Sequence, residues 1–181
     1  VLALGIHKSM ALTVGAAVLA MFIKKPKLYL IGWFGCILVS LATGNGIANM
    51  LSGSGLIGDD RFSSYMTGFG QDDMFSSTGF RWDFLIYSAI PVAVGAYFIF
   101  KHKYTDKFYV VLLKIYLTTN AFWVLVIRAS FSNRFAQISW FIMPLVLIYP
   151  FFMKKFWEDQ PRKIGWAVTG FYLYTFYTAF L

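Results

Sequence analysis

Acidic residues are scarce in this sequence. Eight Asp and Glu stand against sixteen Lys and Arg, and charged residues make up only 13% of 181 residues. A typical soluble domain carries about 25% charged residues, so the composition argues against a soluble enzyme. Cysteine is almost absent. Cys36 stands alone inside an apolar run, which excludes an intramolecular disulfide and a cysteine-based metal set and leaves a small core filler. The usual catalytic signatures are also missing: there is no Walker lysine motif, no HExxH, no CxxC and no GxSxG. Gly44-Asn45-Gly46 and Gly53-Ser54-Gly55 are too short to cradle a phosphate and fit flexible helix ends better. No signal peptide is recognisable, because a charged start and a small-residue cleavage site are both lacking. The chain opens at Val1 and closes at Leu181 on apolar residues, which reads as a fragment whose N-terminal part is missing.

What is abundant is apolar sequence, at 59% of the chain. Six runs, at roughly 4–23, 28–51, 83–100, 108–128, 135–153 and 164–181, each approach the ~17–25 residues that cross a bilayer. The predicted fold is all-α: a polytopic transmembrane helix bundle of about six spans, forming one domain over 1–181. A single longer loop, 53–82, is rich in Gly, Ser, Asp and Phe. Its scattered aromatics and its length mark it as a cover or binding loop.

The charges are sorted. Ten of the sixteen basic residues fall in three short gaps: Lys24, Lys25 and Lys27; Lys101, Lys103 and Lys107; Lys154, Lys155, Arg162 and Lys163. Short cytoplasmic loops collect positive charge, so these gaps face the cytoplasm and the loop 53–82 is extracytoplasmic. The same rule accounts for the net charge of +8 without nucleic acid, and makes anionic lipid headgroups the natural neighbours. Indoles favour the headgroup level; Trp82, Trp123 and Trp140 fall near outer span ends, and Trp33, Trp157 and Trp166 near inner ones. Lys114, about two turns into the fourth run, is expected to snorkel to the inner surface.

The remaining gaps hold a different chemistry. Arg61, Arg81, Arg128 and Arg134 are arginines where the inner side is nearly all lysine. A guanidinium grips phosphate oxygens in two-pronged fashion and keeps its proton when partly buried. Arg128 and Arg134 flank one tight turn, and Arg81-Trp82-Asp83 opens the third span. A structural ion pair between Asp83 and an arginine is the competing reading. The doublets Asp59-Asp60 and Asp72-Asp73 fit solvated loop carboxylates better than a diphosphate-binding metal site, so no metal is expected. His7, beside Lys8 and Ser9, is either a satisfied interface residue or a general base.

Two stretches carry a resemblance. Gly79-Phe80-Arg81-Trp82-Asp83-Phe84-Leu85-Ile86-Tyr87-Ser88 with Pro91 is one; the other is Arg128-Ala129-Ser130-Phe131-Ser132-Asn133-Arg134-Phe135-Ala136 running on to Ser139-Trp140-Phe141, Pro144 and Tyr149-Pro150. Both resemble the EpsG family of exopolysaccharide polymerases, bacterial inner-membrane relatives of the Wzy-type enzymes; Ile6-His7-Lys8-Ser9 is similar to the family's His-containing helix start. The resemblance implies a multi-pass protein of the bacterial inner membrane that joins oligosaccharide repeat units linked to undecaprenyl diphosphate into exopolysaccharide, capsule or O-antigen. It implies His7, Asp83, Arg128 and Arg134 as catalytic residues, with Arg61, Arg81, Trp82 and Asn133 binding substrate. No cofactor is implied, since the lipid diphosphate already activates the donor. The expected partners are lipid-linked oligosaccharide, membrane lipids, a chain-length regulator and a flippase. Two rivals of other classes stay open beside it: a flippase or exporter of lipid-linked sugars, and a non-catalytic subunit held together by Arg–Asp pairs. A ligase that moves finished glycans to another acceptor is a near neighbour.

Overall fold

The computed structural model describes residues 10–53, 79–129 and 132–179, and every regular element among them is helical. In chain order these are α1 (Met10–Phe22), α2 (Pro26–Thr43), α3 (Gly46–Gly53), α4 (Trp82–Ala96), α5 (Lys107–Leu125), α6 (Ser132–Trp140), α7 (Met143–Met153) and α8 (Gln160–Ala179). Four helical stretches are long and apolar enough to cross a membrane: 26–43, 82–101, 107–125 and 132–153. A shorter apolar helix covers 12–22. The chain is therefore an all-α polytopic membrane protein. It divides into two compact units, Val1–Leu147 and Ile148–Leu181.

In the first unit α5 is the hub, packing against α1, α2, α4 and α6. Tyr109, Leu113, Tyr116, Leu117, Trp123 and Val124 of this helix are fully buried. Gly95 explains how α4 approaches so closely, because a Cβ there would lie 2.5 Å from Leu113 Cδ1. Small residues at a helix interface replace the hydrophobic drive that lipid removes.

Several boundaries differ from the sequence expectation, each for a local reason. The run 28–51 is two helices, broken where Gly44 adopts φ 57°, a conformation open to glycine at little cost. Pro26 starts α2 because its fixed φ suits a first helical position and its missing N–H is not needed there. The end of α4 widens into a π-helical turn over Tyr97–Lys101. The fourth run stops at Leu125, and a turn carries the chain on through Arg128. The fifth begins earlier, at Ser132, and is interrupted at Phe141-Ile142 just before Pro144, whose ring cannot continue a helix interior. The helix of the sixth run, α8, spans 20 residues but is not among the stretches apolar enough to cross.

One proline leaves a carbonyl that a hydroxyl fills. Pro150 has no N–H to give the carbonyl of Val146, and the Tyr109 hydroxyl donates to that carbonyl instead at 3.2 Å. Near Pro91, the Tyr116 hydroxyl donates to the Ser88 carbonyl at 2.8 Å. In the second unit Gln160 ties its preceding turn, accepting from the Phe156 N–H and donating to the carbonyls of Phe151 and Lys154.

Lys114 departs from its expected role. It is only 4% exposed, and Nζ donates to the carbonyls of Ala20 and Ile23 at the C-terminal end of α1. The Tyr29 hydroxyl donates to Leu19 and Ile23 carbonyls beside it. A cation at the negative end of a helix dipole, satisfying unpaired carbonyls, is a better partner for that ammonium than distant headgroups. The same contact joins α1 to α5.

Candidate functional site

The two ends of the first unit carry opposite chemistries. At one end Lys27 Nζ lies 5.8 Å from the Phe100 ring centroid, bringing the first two lysine gaps together. The helices α4 and α5 both have an end in the gap 101–107 and span away from it. Their other ends therefore lie about 30 Å away, and those are the ends that carry Arg81, Asp83 and Arg128.

At that end the site is built on aromatic rings. Arg81 places its guanidinium 3.9 Å above the Phe84 ring, and Phe84 meets Trp140 edge-on at 5.2 Å. Trp140 also contacts Tyr87 and Trp123, while its indole N–H donates to Ser88 Oγ at 2.8 Å. Arg128 lies 5.4 Å from the Phe80 centroid, and Phe80 packs on Trp82 at 4.5 Å. The segment 80–84 thus has one guanidinium on its own first turn and a second reaching it from beyond α5.

The two arginines are in different states. Arg81 holds Asp83 in a two-pronged pair, Nε to Oδ1 at 3.1 Å and Nη2 to Oδ2 at 2.7 Å. This places the Asp83 carboxylate at the N-terminal turn of α4, where the helix dipole favours negative charge. Arg128 Nε is buried and has no hydrogen-bond partner among the described residues. Arg134 and Asn133 are exposed in the first turn of α6, six and five residues beyond Arg128. Trp82 is 55% exposed. Of the eight sequence-derived site residues, Arg81, Trp82, Asp83 and Arg128 come together around Phe80 and Phe84. His7, Arg61 and most of the loop 53–82 lie outside the described residues.

The indoles are placed differently from the headgroup expectation. Trp33 and Trp123 are buried to within 2%, and Trp140 is tied into the bundle through Ser88. Only Trp82 and Trp166 are largely exposed. Trp33 and Trp140 donate their indole N–H inside the bundle, whereas Trp123 Nε1 is buried with no partner among the described residues.

Sequence reasoning passed over the polar chain that explains Trp33. Its Nε1 donates to Asn120 Oδ1 at 2.8 Å; Asn120 Nδ2 donates to Ser139 Oγ at 3.0 Å; Ser139 Oγ donates to the Ala136 carbonyl at 2.8 Å. Asn120 and Ser139 are fully buried. The signal was present, since an asparagine inside an apolar span either finds a partner on another helix or is unstable there. Among the described residues no group of three His, Cys, Asp or Glu is placed to hold a metal. Comparison with family models, with curated proteins and with solved structures finds no match to this chain.

Proposed function

We propose that this protein is a polysaccharide polymerase of a bacterial inner membrane, transferring oligosaccharide repeat units from undecaprenyl diphosphate to the terminal sugar of a second lipid-linked repeat. The observation that carries the reading is the gathering of Arg81, Asp83 and Arg128 on one aromatic surface, at the end of the bundle opposite the lysines. With the lysine gaps in the cytoplasm, that end meets the outer leaflet, where lipid-linked repeats are polymerised. The resemblance of the Arg-Trp-Asp and Ser-Asn-Arg-Phe stretches to the EpsG family supports the same reading.

The chemistry follows from the groups. The acceptor hydroxyl attacks the anomeric carbon of the donor, the bond from that carbon to the phosphate oxygen breaks, and lipid diphosphate leaves. Arg128, with Arg134 across the turn, neutralises the charge that grows on the leaving diphosphate. Asp83, both of whose oxygens Arg81 engages, or His7 orients or deprotonates the acceptor hydroxyl. Trp82 and Asn133 line the approach for the sugars. A carboxylate and guanidiniums supply this chemistry without a nucleotide sugar or other cofactor.

The test is loss of the gene followed by analysis of glycans on gels and of the lipid-linked intermediates. A polymerase loss leaves single lipid-linked repeats that have reached the outer face. Repeats retained on the inner face would mean a flippase, and unattached full-length polymer would mean a ligase.

A further inference from the structure

Three buried polar groups near the arginine end have no hydrogen-bond partner among the described residues: Ser40 Oγ, Trp123 Nε1 and Arg128 Nε. They lie toward the same end of the bundle. The helices α2 and α5 pack together, and both begin at the lysine end, so they run parallel. Ser40 stands in the last turn of α2 and Trp123 in the last turn of α5; Arg128 follows in the turn beyond. Ser40 and Trp123 are completely buried.

Such donors are costly to leave unpaired in an apolar interior, and native structures leave few of them. Nearby polar groups do find partners. Trp33, Asn120, Ser139, Trp140 and Ser88 are joined in pairs at 2.8–3.0 Å, so the packing is not careless about polarity. An indole N–H and a guanidinium N–H are donors only. What complements them is therefore an acceptor, and beside an arginine the best acceptor is a negatively charged oxygen.

We propose that a phosphate oxygen of the lipid diphosphate accepts hydrogen bonds from Trp123 Nε1 and Arg128 Nε, so that the anion seats inside the bundle end and not only on its rim. The inference rests on the function proposed above and adds Trp123 to the substrate-binding residues. Entry requires the start of α4 to part from the end of α5. At the outermost part of that seam the contacts among the described residues are ring contacts, Arg128 to Phe80 at 5.4 Å and Trp123 to Trp140 and from there to Phe84; the hydrogen bonds of Ser88 with Tyr116 and Trp140 lie deeper along α4. The ring contacts separate at less cost than a ladder of backbone bonds.

Indole nitrogen NMR tests this directly. Purified protein in detergent micelles, labelled with nitrogen-15 only at tryptophan side chains, gives one signal per indole, and Trp123→Phe assigns Trp123. Farnesyl diphosphate is the probe and farnesol the control. The expected result is a downfield movement of the Trp123 N–H signal with the diphosphate and none with farnesol, together with roughly 10- to 100-fold weaker binding to Trp123→Phe, the cost of one charge-assisted bond. If the diphosphate moves Trp82 but leaves Trp123 unchanged, the anion stops at the rim: this inference fails while the proposed function stands. If no indole responds at saturating probe, both fail. Rapid exchange of the Trp123 N–H with water, unaltered by the probe, identifies water as its acceptor and overturns the inference.

Discussion

At the scale of single residues, the arginine end is distinguished by what each guanidinium holds. Arg81 is engaged by Asp83 through both prongs, whereas Arg128 Nε is buried without a partner among the described residues. Arg128→Lys should therefore fail nearly as badly as Arg128→Ala, because a point charge on a flexible stem does not reproduce a planar fork. Loss of one charge-assisted contact to the leaving group should cost on the order of 2–4 kcal/mol, roughly 30- to 1000-fold in polymerisation rate. Rates normalised to protein level in the membrane check this, and full activity in a well-expressed Arg128→Lys variant would remove the residue from the site. Asn120 makes a different kind of prediction. Asn120→Leu leaves Trp33 Nε1 without its acceptor and Ser139 Oγ without its donor, and should lower stability by about 1–2 kcal/mol. Thermal unfolding in detergent should show part of that loss recovered in the Asn120→Leu, Trp33→Phe double variant. Additive losses would mean the bond contributes nothing.

At the scale of elements, Gly95 packs closely against Leu113 between α4 and α5. Leu113 is fully buried, so its side chain has little room to rotate away from an added methyl. Gly95→Ala should cost about 1–3 kcal/mol by overpacking, read as a lower melting temperature in detergent, and a smaller side chain at Leu113 should relieve it. No change on Gly95→Ala would mean that α4 and α5 slide apart freely. The helices themselves were legible in the sequence because run length and composition report membrane spans with little help from packing. Breaks inside those runs were less so. At Gly44 a signal was present, because Gly44-Asn45-Gly46 reads as a flexible helix end, and the positive φ of Gly44 is where α2 gives way to α3. The roles of the tryptophans were not legible either. An indole near a span end looks the same in sequence whether it faces headgroups, as Trp82 is free to do, or reaches across to Asn120, as Trp33 does. Lys114 belongs with them: its place in the span was readable, but its partners are carbonyls more than ninety residues away in the chain. Arg81, Asp83 and Arg128 were legible as candidates, and the Arg81–Asp83 pair as the competing structural reading; the rings that bring them together, Phe80 and Phe84, were not.

At the scale of the molecule, the first two lysine gaps and the cluster of Arg81, Asp83 and Arg128 lie at opposite ends of the first unit, a segregation of basic residue types. Orientation follows from that segregation. A cysteine at Thr105, exposed between α4 and α5, should resist an impermeant thiol reagent in intact cells in which Cys36 has been replaced, and a cysteine at Asn133 should react. Labelling at Thr105 would reverse the orientation and place the arginine end in the cytoplasm. The central claim, that the arginine end joins lipid-linked repeats, is tested most directly by reconstituting the purified protein in liposomes with a single undecaprenyl-diphosphate-linked repeat as the only substrate. The account predicts a product two or more repeats long and one free lipid diphosphate for each bond formed, with both falling together in Arg128→Lys. Transfer of the repeat from one leaflet to the other with no bond formed, or linkage that continues undiminished in Arg128→Lys, would contradict it.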